Sequence, residues 1–315
     1  YYQERRHNDQ MVATFNTIFN QEINKHNKYA LGLQYNFTKG MHYKTLADML
    51  GGNSFTDYDK FAANEYGRDS QEAQNDLNNP NRKVGVDDKF GYNYNILVNK
   101  ARAYGLYQLS GNHWQWNAQG FAEGTTMQRE GLMKNGRAAN NSFGKSGTAK
   151  FLGGGGRMGV NYRPNGAHTL ALSIGAESNA PLARNSFVAP RMQNDFVNNL
   201  TNEDIYHADL SYTFRFGNFS GKVSGYYAAF YNDDESRFTY LTMTNVEREH
   251  YGVEAAFNYQ ITSNFSVKLV GTYGEAKYVN NPDAQVAYEG SNAATLQQLN
   301  SWTNPVTNKT EATPI

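Results

Sequence analysis

The chain has 315 residues, equal numbers of basic and acidic side chains, and no cysteine. Zero net charge gives no argument for nucleic acid as a partner or for attraction to anionic lipid. The lack of cysteine removes disulfides, thiolate metal sites and thiol nucleophiles. Aromatics make up 14% of the residues, with 23 Tyr and 18 Phe, against a strongly polar background. A disordered chain would be poorer in aromatics, and a cytosolic enzyme would carry more Leu, Ile and Val. The composition suits a wall with one wet face and one aromatic face. No stretch reaches the roughly 18 apolar residues of a membrane helix, but barrel strands need only about 9–11 residues, half of them polar.

In chain order, period-two alternation predicts about ten strands, near 11–24, 28–45, 89–110, 113–133, 148–163, 168–178, 205–216, 219–232, 247–261 and 265–279. In the second, Tyr29, Leu31, Leu33, Tyr35 and Phe37 alternate with small or polar residues. In the seventh, Tyr206, Ala208, Leu210, Tyr212, Phe214 and Phe216 alternate with His207, Asp209, Ser211, Thr213 and Arg215. The ninth carries Val253, Phe257 and Tyr259 on its aromatic side, and the tenth Phe265, Val267 and Leu269.

The connections say more than the strands. Five are tight: Lys25-His26-Asn27, Gly111-Asn112, Pro164-Asn165-Gly166, Gly217-Asn218 and Thr262-Ser263-Asn264. Those between are long: 46–88, 134–147, 179–204, 233–246 and the stretch from 280 onward. Strict alternation of tight and long connections predicts an all-β fold: a transmembrane antiparallel up-and-down β-barrel, of which about ten strands are present. Tyr206, Leu210, Tyr212, Phe214, Val253, Phe257, Tyr259, Val267 and Leu269 are then expected to face lipid. Tyr29, Trp114, Trp116, Phe216 and Phe219, beside tight turns, are expected in an aromatic girdle at the membrane interface. The competing reading is a soluble sandwich with the aromatic stripe as its core. It is weakened because no second set of strands is available to cover that stripe. The run Gly153–Gly156 lacks the Lys-Ser or Lys-Thr of a phosphate loop and is expected to relieve crowding where backbones approach.

No catalytic constellation stands out. The seven histidines form no metal-ligand spacing, and no nucleophile elbow is present. No cofactor is expected. Asp57 and Asp59 in "FTDYDKF" could offer oxygens to Ca²⁺, but the spacing is not that of an EF-hand, and a solvated loop is the plain alternative. Together with Arg191 in "APRM", they are the candidate ligand contacts of the long loops. Asp233-Asp234-Glu235 reads as a charge cluster in an outer loop.

Six segments, in order, resemble a known family: "GMHYKTLADMLGG", "NDLNNPNRKVGVDDKFGYNYN", "QREGLMKNGRAANNSFGKSGTAKF", "APLARNSFVAPRMQNDFV", "NEDIYHADLSYTF" and "EREHYGVEAAFNYQIT". They resemble the barrel of a TonB-dependent receptor of the Bacteroidota type, in the subgroup with a carboxypeptidase-like regulatory domain. The resemblance runs from Met11 to about Pro282. It implies a bacterial outer-membrane importer, a barrel of about 22 strands plugged by its own N-terminal domain. The implied partners are that plug, the TonB-ExbB-ExbD energising complex, outer-membrane lipid and lipopolysaccharide, and in some members a surface lipoprotein. The chain shows no TonB-box segment or plug, so it is expected to be an interior piece of a longer polypeptide, ending in open loop at Thr313-Pro314-Ile315. A plugless porin and a secreted glycan-binding β-protein remain the alternatives.

Overall fold

A computed structural model describes residues 1–238, 241–287, 294–298, 302–303 and 310–311. Ten long strands form one antiparallel sheet in which each strand pairs with its neighbour in sequence. They are β1 (Gln3–Asn24), β2 (Asn27–Asp48), β3 (Lys89–Ser110), β4 (Trp114–Gly131) and β5 (Ala149–Asn165), followed by β6 (His168–Asn179), β7 (Glu203–Phe216), β8 (Phe219–Phe238), β9 (Leu241–Thr262) and β10 (Phe265–Tyr278). Four reach 22 residues, far beyond the five or six typical of globular proteins. The five predicted tight turns fall at one end of the sheet, and the long segments 49–88, 132–148 and 180–202 at the other.

Register assembles the aromatic positions into one face. A single row of cross-strand partners runs Leu109, Trp116, Val160, Leu172, Leu210, Gly225, Val253, Tyr273 across β3 to β10. It starts beside the tight turn of β3 and reaches the middle of β9, the stagger that goes with tilted barrel strands. Nothing in the described chain covers this face: Leu210 is 50% exposed and Val253 52%. The other described sheets are only two-stranded, so the sandwich core has no counterpart among the described residues.

The opposite face is concave and polar. A groove of about 720 Å³ crosses it, lined from Asn16 on β1 through Arg102 on β3 to His207 on β7. Buried charge sits here: Glu123, 3% exposed, takes Lys100 at 2.7 Å and Arg102 at 2.6 Å. The glycine run in β5 does allow close approach, since a Cβ on Gly155 would lie 2.6 Å from that of Glu177.

The apolar clusters of the chain lie at the long-segment end, where loops fold over the polar face. One joins Leu46, Val84 and Phe90, and another joins Tyr94, Ile96 and Phe187. Two expectations need correction. Segment 233–246 is mostly strand, because β8 continues to Phe238 and β9 resumes at Leu241. Asn232 and Asn245 adopt positive φ beside register shifts, which breaks the alternation that would have revealed the strands. Asp233-Asp234-Glu235 is therefore strand, with Asp233 bound to Arg248 at 2.5 Å. The stretch from 280 also contributes: Asp283–Ala287 pairs with the start of β9. The expected open loop at Thr313-Pro314-Ile315 lies outside the described residues.

Candidate ligand-binding cavity at the long-segment end

Three long segments, 49–88, 132–148 and 180–202, are tied to one another by backbone and buried polar groups. Asp57 is a clamp within the first. Its Oδ1 accepts from Asn75 Nδ2 at 2.7 Å and from the Gly91 N–H at 3.0 Å, and its Oδ2 accepts from Arg82 Nη2 at 3.2 Å. Asp59 caps a seven-residue helix, α1 (Lys60–Tyr66), accepting from the Phe61 N–H at 2.9 Å. Gly67, at φ 92°, ends that helix.

Asp76 stitches the first segment to the second by accepting from the Lys134 N–H at 3.0 Å, while the Leu77 N–H donates to the Lys134 carbonyl at 2.7 Å. Arg129, on the polar face of β4 and 2% exposed, ties in the third. Its guanidinium donates to the Pro190 carbonyl at 2.7 Å, the Ser142 carbonyl at 2.8 Å and Asn194 Oδ1 at 2.5 Å. Burial holds its pKa down to about 10. These bonds fix Pro190 and hence the neighbouring Arg191.

The result is a cavity of about 260 Å³ between the polar face and the loops. Glu4, Arg6 and Lys44 come from β1 and β2, Asp59 and Lys60 from the first loop, and Arg191 from the third. Tyr2, Tyr58 and Tyr92 supply ring surface. Glu4 accepts from Arg6 at 2.7 Å and Lys44 at 3.1 Å. Burial raises its pKa, but those two bonds outweigh it and hold the carboxyl below the usual range. His42, nearby on β2, is pushed down by burial and by the charge of Arg191. Burial pushes Tyr94 up to about 12.

Of the candidate ligand contacts, Asp59 and Arg191 line this cavity together, whereas Asp57 lies one residue behind it, holding Asn75. Lys60, Arg6, Glu4 and Lys44 were not singled out by sequence; Glu4 and Lys44 are 40 positions apart and meet only through strand pairing. Among the described residues no group of three or more His, Asp or Glu could hold a metal ion.

At the tight-turn end, Trp114 stacks on Tyr162 at 4.1 Å and lies 6.0 Å from Trp116. Phe216 pairs with Phe219 across the turn, and Tyr29 sits 6.1 Å from Phe19. All are on the aromatic face. So are the nine residues expected to meet lipid, although Phe214 is only 9% exposed beneath Tyr212, Phe219 and Phe257.

No protein-family model and no curated protein matches the chain. Solved structures do. The chain is similar to the copper transporter OprC (TM-score 0.61, 11% identity, 88% of this chain and 40% of that one). It is also similar to the ferric citrate transporter FecA in its unliganded form (0.55, 8%, 90% and 40%). A third is the siderophore receptor PiuA from Acinetobacter baumannii (0.54, 13%, 92% and 41%). By name these are two transporters and a receptor. The chain spans about 40% of the length of each of these structures. At such identities the likeness establishes the fold: the sheet has the architecture of an outer-membrane β-barrel wall.

Proposed function

We propose that this chain is part of the barrel of a TonB-dependent outer-membrane receptor that imports a large or scarce substrate into the periplasm. One observation carries the reading. The continuous aromatic and aliphatic face is bare, while the buried groups and folded loops lie on the polar face. A bare apolar surface of this extent calls for a non-aqueous neighbour, and in a barrel wall that neighbour is lipid. Tyr206, Leu210, Tyr212, Phe214, Val253, Phe257, Tyr259, Val267 and Leu269 are assigned to it. Tyr29, Trp114, Trp116, Phe216 and Phe219 are assigned to the periplasmic girdle, because the tight turns mark that side.

The cavity built by Asp59, Arg191 and their neighbours then opens toward the cell exterior and belongs to the substrate path. The working partners in this reading are the receptor's own plug on the polar face, the TonB-ExbB-ExbD complex, and outer-membrane lipid and lipopolysaccharide. The six ordered segments support assignment to the Bacteroidota-type subgroup with a regulatory domain, where a surface lipoprotein over the loops is a further partner.

The test is fractionation of native cells followed by intact mass and N-terminal sequencing. Recovery in the outer membrane within a much larger polypeptide carrying an upstream globular plug is the expected result. A plugless polypeptide in that membrane would make it a passive channel, and a soluble monomer would overturn the barrel reading.

A further inference from the structure

The cavity at the long-segment end has an imbalance of charge that the protein does not resolve internally. Its lining carries four cations, Arg6, Lys44, Lys60 and Arg191, against two carboxylates, Glu4 and Asp59. Both carboxylates are already committed. Each oxygen of Glu4 accepts from one cation. Asp59 uses Oδ1 to cap α1, and its Oδ2 lies 3.5 Å from Arg137 Nε. Arg137 is itself 3% exposed, and its three guanidinium nitrogens are buried with no hydrogen-bond partner.

Lys60 and Arg191 meet only ring faces: Lys60 Nζ is 4.9 Å from the centre of Tyr2, and Arg191 Cζ is 5.0 Å from that of Tyr92. Among the described residues neither has a carboxylate. Behind the wall, Arg129 adds another buried cation held by neutral oxygens alone. In a chain with zero net charge, this concentration of positive groups is a local arrangement and not a consequence of composition.

Arg191 lines the cavity and is placed by structure, since Arg129 grips the carbonyl of the preceding residue. A concave, partly aromatic site with two ring-backed cations that no carboxylate of the described residues meets is complementary to negative charge, and guanidinium and ammonium groups match carboxylate or phosphate oxygens.

We infer that this cavity binds an anionic small molecule, or the acidic end of a larger one, with Arg191 and Lys60 as the charge-reading residues. The inference rests on the receptor reading for the identity of the ligand as cargo, but binding itself does not depend on it.

The test uses the full-length parent receptor in detergent, titrated calorimetrically with pyrophosphate, with citrate, and with trehalose as a neutral comparator. At least one anion should bind while trehalose does not. Arg191→Gln and Lys60→Gln should each weaken that anion about tenfold, the loss of one charge-assisted contact, and Arg191→Lys should retain most of the affinity. Absence of binding by both anions, equal binding of trehalose, or unchanged affinity in the double variant would overturn the inference. Should the double variant fail to fold, the comparison of anions with trehalose on the unaltered receptor decides. A receptor recovered from the outer membrane that binds neither anion sinks this inference alone. A protein absent from that membrane that still binds pyrophosphate or citrate sinks the import reading alone.

Discussion

Arginine placed at Leu210 in the parent protein separates a lipid-facing wall from a water-facing one. Leu210 lies about six residues from the Phe216 turn, roughly 20 Å along the strand and, at a barrel tilt of about 40°, about 15 Å above the turn. In an apolar band about 25 Å tall, that is near mid-height, where an arginine on the lipid face costs about 2–4 kcal/mol. The side chain is 50% exposed, between its cross-strand partners Leu172 and Gly225, so neither neighbour offers the guanidinium a partner. Ser211 is the matched control. It points to the polar face beside Ser224 and Ala171, and Ser211→Arg should change stability by no more than about 0.5 kcal/mol. Reversible urea unfolding of the parent receptor in phospholipid vesicles, followed by tryptophan fluorescence, reads both. Leu210→Arg should lower the folding equilibrium constant roughly a hundredfold, since about 1.4 kcal/mol is a factor of ten. If water bathed this face, Leu210→Arg would be as harmless as the control. Equal effects, or the reverse order, would refute the assignment of faces.

Other consequences concern the loops. Arg129→Met removes the donor shared by Pro190, Ser142 and Asn194 and leaves buried carbonyls unpaired. A loss of about 3 kcal/mol is expected, seen as protease cleavage within 180–202 while the barrel stays heat-resistant. Gly136→Ala would bring a Cβ to 1.9 Å from the Gln71 carbonyl oxygen, backbone that cannot swing aside. Separation of the two segments should appear as faster hydrogen exchange at the Leu77 N–H, and unchanged protection there would contradict the contact. Asp234, 3% exposed, has its carboxyl pushed up to about 7, by burial first and then by Asp233 and Glu203. A raised carboxyl favours the folded state when protonated. Its contribution is therefore full below its unfolded value near 3.8 and is lost as pH rises through about 7. Hydrogen exchange at the upper end of β8 should quicken across that window, and Asp234→Asn should abolish the dependence.

The membrane-wall part of the fold was legible because its code is local. Side chains alternate with period two, and five tight turns carry Gly, Asn or Ser where backbone must reverse. Register then follows from turn position, which is why the aromatic positions of neighbouring strands fall on one face. Strand length was legible only where alternation lasted. The opening of β1, Gln3 to Gln10, is charged and shows no apolar rhythm, yet it pairs with β2 residue by residue. What holds it is cross-strand chemistry that a single segment cannot display: His7 stacked on Tyr43 at 4.4 Å, Tyr43 donating to Asp9 at 2.8 Å, and Lys44 bound to Glu4.

The cavity was less legible for the same reason carried further. Arg191 and Asp59 could be named as loop polar residues, but their meeting depends on Arg129, 61 positions from Pro190, and on Asp76, 58 positions from Lys134. Such bonds obey no sequence period. They arise because this wall inverts the usual distribution of polarity. With the apolar side chains turned outward, burial inside can be supplied only by small apolar clusters and by satisfied polar groups. Arg129, Glu123 and Asp57 are all nearly inaccessible and bonded, and a charge so placed is retained only where partners surround it. Lys60 and Arg191 are different: they line the cavity against ring faces, with no carboxylate on either among the described residues, and negative charge on a bound ligand is the chemistry that would complete them.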